Sequence, residues 1–329
     1  MSAKRKIVIT GGAGYIGGHL TGLLLENGYQ VEVLDKLLFG DVYVRQYQDH
    51  PDFTFTLGDV LNIADLARAF RDAYAVIHLA AVVGDPACAK NPELTRLVNV
   101  ESTKSVVELA DIYQVQRLLF ASSCSVYGVA PGEVWLNEGS YLNPVSLYAE
   151  TRIESERIIL NGCKHTTPTI LRLATVYGYS KRMRFDLAVN IMTLKGITQS
   201  KVMVLGGSQY RPFVHCQDVA RAFHTMLEAP TETVSREVFN VGNSDQNYRI
   251  KDLGRLVAGT LDVEVEIAQE REDDRSYRVD FSKIAWLTGF ETIREIPESV
   301  LEIKAHFQDG DFKDYGDQCY YNVRYDYML

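Results

Sequence analysis

Gly11-Gly12-Ala13-Gly14-Tyr15-Ile16-Gly17 follows the β-branched run Ile7–Thr10 and opens an amphipathic stretch that continues to Asn27. It satisfies Gly-x-Gly-x-x-Gly from Gly12 and Gly-x-x-Gly-x-x-Gly from Gly11. Glycines are needed at such a strand–turn–helix junction. The turn is tight, the main chain must approach a pyrophosphate, and the helix must pack closely on its strand. The helix start then offers free N–H groups and a positive dipole end to an anion. A glycine-rich loop alone says little, but this flanking context predicts a dinucleotide site.

Working outward, Gly28 stands where a helix-terminating glycine belongs. Strands are predicted at Gln30–Leu34, Phe53–Leu57, Ala75–Leu79, Arg117–Ser122 and Thr169–Ala174. Helices are predicted at about Glu93–Tyr113 and Leu147–Leu160. Strands joined through helical crossovers predict an α/β fold, a Rossmann-like doubly wound parallel sheet covered on both faces. Beyond Gly178 the pattern loosens. Helices are expected at Phe185–Lys195, at Val219–Leu227 with Asp218 as its cap, at Lys251–Leu261 and near Ser299–Phe307. Short strands are expected at Val202–Leu205, Phe213–His215, Val238–Val241 and Val263–Ile267. The division expected is 1–178 for the dinucleotide domain, with 212–245 returning to it, and 179–329 for a smaller α/β substrate lobe. The tyrosines at 315, 320, 321, 325 and 327 suggest a tail laid across the surface or a subunit interface.

Asp35 ends the second strand, eighteen residues past Gly17. A carboxylate there accepts hydrogen bonds from ribose hydroxyls and repels a 2′-phosphate, which points to NAD over NADP. Lys36 beside it weakens that preference, and Asp59 after the third strand divides almost evenly between a place beside the adenine and an ordinary turn or helix cap. A net charge of −9 argues against a nucleic-acid partner, so any polyanionic ligand needs arginines gathered at its site. The five cysteines form no C-x-x-C pair, which reads as buried thiols in a reducing compartment rather than a metal site. With no leader-like apolar segment and no run long enough to cross a bilayer, the expected address is the cytoplasm, away from membranes.

The reactive residues lie at the end of the Arg117–Ser122 strand, where open α/β sheets place their ligands. Ser123 follows that strand. Tyr148 comes twenty-five residues later at a helix start, with Arg152 four residues on along the same face. Together they suit alcohol–carbonyl redox chemistry: the tyrosine takes the hydroxyl proton, the serine hydrogen-bonds the oxygen, and the cation stabilises phenolate. A tyrosine working near pH 7 needs roughly 4 kcal/mol of help toward its anion.

Gly11–Gly17, His78-Leu79-Ala80-Ala81, Asn99, Ser122–Gly128, Tyr148, Leu171–Gly178 and Arg211–Asp218 together resemble the extended short-chain dehydrogenase/reductase family, in its NAD-dependent epimerase/dehydratase branch, over nearly the whole chain. The resemblance implies NAD as cofactor and Ser123, Tyr148 and Arg152 as catalytic residues. It places Gly11, Gly14, Tyr15, Ile16, Gly17, Val60, Leu79, Asn99 and Ser122 with the cofactor, and Ala80 and Ala81 on its nicotinamide side. Toward a nucleotide-diphosphate sugar it sets Ser123, Ser125, Thr175, Arg184, Asn190, Arg211 and Arg275. Permanently charged, bidentate guanidinium groups suit a diphosphate. Arg182 divides evenly between that role and an ordinary surface salt bridge. The run Leu171–Asn190 further resembles bacterial nucleotide-sugar oxidoreductases, including 4-dehydrogenases of GDP-linked heptoses. His78 and His215 are expected to be structural.

Three departures from the family pattern matter. Its Tyr-x-x-x-Lys is here Tyr148-Ala149-Glu150-Thr151-Arg152. The acidic pair that dehydratases carry is replaced by Cys124 and Ser125, so elimination of water is disfavoured. Thr175 stands where many relatives have asparagine. The expected activity is redox at sugar C4 through a 4-keto species, as 4-epimerase, 4-dehydrogenase or 4-ketoreductase. The rivals are a catalytically silent sensor, motivated by Arg152, and a dehydrogenase of a non-nucleotide hydroxy compound. The resemblance also implies a homodimer through the Glu93–Tyr113 and Tyr148 helices.

Overall fold

The computed structural model describes residues 4–130, 134–268, 275–312 and 314–322. Its strands in chain order are β1 Lys6–Thr10, β2 Gln30–Asp35, β3 Phe53–Leu57, β4 Ala75–His78, β5 Arg117–Ser123, β6 Trp135–Leu136 and β7 Thr167–Leu173. There follow β8 Thr175–Tyr177, β9 Lys201–Leu205, β10 Tyr210–His215, β11 Glu237–Val241, β12 Asn247–Arg249, β13 Glu264–Ala268 and β14 Arg278–Val279.

Seven strands form one sheet in the order β11-β7-β5-β4-β1-β2-β3. Every pairing in it is parallel. The central strands β1 and β4 are buried almost throughout because helices cover both faces, whereas edge strand β3 is only partly covered. Two apolar clusters fill the layers: one contains Leu20, Leu24, Phe223 and Phe239, and the other Leu66, Phe70, Val106 and Leu118. Strand order reverses between β1 and β4, so their C-terminal ends diverge and leave a crevice. The glycine turn follows β1 and Leu79–Ala81 follows β4, so the two meet at that crevice.

The smaller lobe contains a three-stranded sheet, β12-β10-β8, and a parallel pair, β13-β9. Its helices Ala188–Gln199, Ile250–Leu261 and Ile296–Gln308 close over Tyr177, Val202, Phe213, Leu253 and Val300.

Several elements differ from expectation. The single long helix at 93–113 is Pro92–Arg96, a π-helical stretch Leu97–Glu101, and Ser102–Ile112. The helix expected from Phe185 begins at Ala188. Phe185 is drawn instead into an aromatic cluster with Phe312 and Tyr320, and its N–H donates to the Tyr320 carbonyl (2.9 Å). Asp218 does not cap its helix. That helix is Cys216–Glu228, and His215 caps it by accepting from the Gln217 N–H (3.2 Å). Asp218 lies inside the first turn and accepts from the N–H groups of Ile293 and Arg294. Of the C-terminal tyrosines, Tyr320 and Tyr321 pack on the smaller lobe, and Tyr325 and Tyr327 lie outside the described residues.

Candidate active site

A cavity of about 790 Å³ runs from the crevice into the smaller lobe. That is ample for small-molecule ligands. Gly11, Gly14, Tyr15, Ile16, Gly17 and Asp35 line it on the side of the large sheet, and Arg184, Arg211 and Arg275 on the side of the smaller lobe.

The cofactor end is built largely of main chain. Gly11 has φ +75°, and a Cβ there would stand 2.7 Å from the Ala80 nitrogen, so only glycine lets the turn meet the chain after β4. Asp35 accepts from the N–H of Ala13 (3.0 Å) and of Leu37 (2.8 Å), which ties β2 to the turn. Burial pushes its carboxyl up; those two bonds and the charge of Arg182 oppose that. Lys36 and Asp59 also line the cavity, held against each other at 2.6 Å, with Val60 beside them. Leu79, Ala80 and Ala81 form the wall after β4.

Two residues expected to touch ligand do not line the cavity. Asn99, on the π-helical stretch, accepts from Val82 N–H (2.9 Å) and donates to Val82 carbonyl (3.0 Å) and to Thr151 (3.1 Å). It pins the loop after β4 to the helix that carries Tyr148. Asn190 accepts from Gly178 N–H (3.1 Å) and donates to the Tyr15 hydroxyl (3.1 Å) and the Arg184 carbonyl (2.9 Å). Both are fully buried braces behind the wall. Tyr15 does line the cavity, but its hydroxyl is spent on the carbonyl of Gly178 (2.6 Å).

The candidate reactive residues, Ser123, Tyr148 and Arg152, meet between these two sides. Tyr148 lies in the first turn of the helix Leu147–Gly162, which Ser146 caps by accepting from Ala149 N–H (3.3 Å). Burial raises the Tyr148 phenol above its ordinary value; the positive charges of Arg152 and Arg184 and a hydrogen bond with Ser123 pull it back. The Arg152 guanidinium lies 5.4 Å from the Tyr148 ring centre and donates from Nη1 to the Ala121 carbonyl (3.3 Å). The side chain is buried, and its Nε and Nη2 have no partner among the described residues. A buried cation with unspent donors inside a cavity is costly unless a ligand completes it. These donors fit the hydroxyls of a cofactor ribose.

Ser122 lines the cavity, yet its hydroxyl donates into a network that local reading missed. Glu156 receives it and grips Arg172 through two bonds (3.0 and 2.7 Å); Arg172 also donates to Tyr127 (3.1 Å). Glu156 and Arg172 come from different elements, so no sequence spacing signals the pair. Cys124 faces this layer and not the cavity, its thiol directed at the Arg172 carbonyl and pushed far up by burial. Ser125 and Thr175 do line the cavity, and the Ser125 hydroxyl has no partner among the described residues.

At the far end each arginine already holds a protein partner. Arg184 pairs with Asp186 through two bonds (3.1 and 2.8 Å). Arg211 lies over Tyr277 and donates to the Tyr210 and Arg275 carbonyls, and Arg275 is ion-paired with Asp85. Arg182 is not a surface residue; it is buried at the opposite, cofactor end, over the Phe39 ring. His78 accepts or donates a 2.7 Å bond with Thr10 beneath the crevice. Burial takes it to about 3, so it stays neutral and structural.

A family model described as the NAD-dependent epimerase/dehydratase family matches residues 7–242. The chain is 32% identical over 239 residues to a putative UDP-glucose 4-epimerase of Methanocaldococcus jannaschii, covering 70% of this chain and 75% of that one. Among solved structures it is similar to MoeE5 in complex with UDP-glucuronic acid and NAD, at 26% identity and TM-score 0.80 over 92% of this chain and 99% of that one. It is also similar to a UDP-glucose 4-epimerase with UDP-glucose from Thermotoga maritima, at 26% identity and TM-score 0.81 over the same shares.

Proposed function

The chain belongs to the NAD-dependent epimerase/dehydratase family, and on that premise we propose that it oxidises the C4 hydroxyl of a nucleotide-diphosphate sugar to a 4-keto species. One observation carries the reading. Tyr148, Ser123 and the unspent donors of Arg152 lie in one cavity between a pyrophosphate-type glycine turn and three arginines suited to a second diphosphate. The UDP-sugars held by the two solved relatives support a nucleotide substrate.

NAD, when bound, would supply the hydride acceptor and a positive charge that favours the phenolate. The protein does the rest. Arg152 holds ribose hydroxyls and favours the Tyr148 phenolate by charge, keeping the role of the usual lysine with a planar fork in place of an ammonium. Tyr148 takes the C4 hydroxyl proton, and Ser123 donates a hydrogen bond to the same oxygen as it becomes a carbonyl. Arg184, Arg211 and Arg275 orient the diphosphate, Arg184 and Arg275 exchanging their carboxylate partners for phosphate oxygens. If the keto sugar turns over in the pocket and hydride returns to its other face, C4 is inverted. Release of the keto sugar instead gives net oxidation. Neither Cys124, buried away from the cavity, nor Ser125, a neutral hydroxyl, supplies the acid–base pair that elimination needs.

The test is turnover of purified protein with UDP-, GDP-, dTDP- and CDP-sugars, with and without added NAD, followed by nicotinamide absorbance and sugar NMR. An epimer without net NADH identifies a 4-epimerase, and a keto sugar with matching NADH a dehydrogenase. Binding of these sugars with no turnover of any overturns the catalytic reading in favour of a sensor.

A further inference from the structure

The segment after β8 is stitched across the cofactor side of the cleft. Tyr15 donates to the Gly178 carbonyl (2.6 Å) and Ser180 donates back to the Tyr15 carbonyl (3.1 Å). The His19 ring nitrogen lies 2.9 Å from the Tyr179 carbonyl. Tyr43 pairs with the Ser180 hydroxyl (2.8 Å) and accepts from Lys181 N–H (3.2 Å). Residues 178–181 therefore form a strap fastened to the glycine turn, to the helix it opens, and to the short helix after β2.

Arg182 comes next. Its guanidinium carbon lies 3.9 Å from the centre of the Phe39 ring, and the group also donates to Asn322. Phe39, Arg182 and Asn322 line the same end of the cavity as Asp35, Leu38 and Asp59. The Arg182 charge reaches Asp35, where it helps keep the carboxylate ionised against burial, and Asp186, which Arg184 grips at the sugar end. Within five residues the chain thus sends one cation toward each end of the cavity.

We propose that Arg182 and Phe39 form a cofactor-holding pair, with the guanidinium, held over the ring, engaging the adenosine ribose and its phosphate. The aromatic face and burial strip water from the guanidinium, so its bonds to an anion are strong. The proposal rests on NAD as cofactor and not on the C4 reading.

The experiment loads the full-length protein with radiolabelled NAD and chases with excess unlabelled NAD, timing release. Arg182→Gln and Phe39→Leu are expected to speed release by about tenfold or more, with Arg182→Lys between them and wild type. The melting temperatures of all cofactor-free variants should match wild type. Unchanged release in both Arg182→Gln and Phe39→Leu overturns the proposal. So does faster release accompanied by an equally lowered cofactor-free melting temperature, the mark of a merely structural role. Failure of every sugar to turn over removes the C4 reading and leaves this measurement intact.

Discussion

The two ends of the cavity are made of different materials. The cofactor end is mostly backbone: a glycine turn, a helix start, and Asp35 bonded to two main-chain N–H groups. The sugar end is mostly long side chains, with Arg184 and Arg275 neutralised by Asp186 and Asp85. Backbone is rigid and offers the same groups whatever the residue, so it suits a ligand that never changes. Side chains on a separate lobe can be exchanged one at a time, which suits the part that selects a substrate. In the proposed reading, the glycine turn fits the cofactor mainly by shape, whereas the sugar nucleotide is held by charges released from internal partners.

The sharpest test of the division lies between the ends. Tyr148→Phe is expected to lower kcat by about 10²–10⁴-fold while leaving NAD and sugar-nucleotide binding unchanged by calorimetry. Weakened binding at either end would mean that Tyr148 is part of a wall and not the base.

Next in size, Arg211→Ala should raise KM for the sugar nucleotide by roughly tenfold to a hundredfold, with kcat and NAD affinity near wild type. If NAD affinity falls equally, the two ends are not separate.

Arg152→Gln tests what joins them. Tyr148 acts as base only when deprotonated, burial raises its pKa, and Arg152 lowers it. Removing the cation therefore moves the alkaline-rising limb of the pH–kcat profile upward, by about one pH unit or more. Activity lost at neutral pH should partly return at high pH. A limb that stays in place would assign the role to another charge.

The smallest effect is expected from Asp35→Asn, because the main-chain cradle remains. NAD affinity should drop by about three- to tenfold, and discrimination against NADP should narrow, both read by titration. Loss of NAD binding altogether would show that the side chain, not the backbone, carries that end.

Legibility in the sequence followed the same division. The glycine turn, Asp35 and the Ser123–Tyr148–Arg152 spacing are local patterns whose geometry follows from a strand–turn–helix or one helical turn. The structure brings all of them to one cavity. Asn99 and Asn190 carry matching motif positions but point into bracing networks, because a π-helical stretch aims the one and the Tyr15–Gly178 junction claims the other. Asp218 had a good capping residue type, but His215, at the strand end, reached the free N–H first.

By itself the sequence determined a parallel α/β sheet, a dinucleotide turn at its crevice, and a candidate tyrosine base with a serine and a cation spaced to meet it. These follow from periodicities and short spacings that the backbone must obey wherever the chain goes. Only the tertiary structure decided that Arg182 belongs to the cofactor end while Arg184 belongs to the other. It alone buried Glu156 against Arg172 beneath Ser122 and gave two of the three sugar-end arginines a carboxylate to leave. Those outcomes depend on which distant segments meet, and a charge two residues from its neighbour carries no local sign of the partner that burial will assign it.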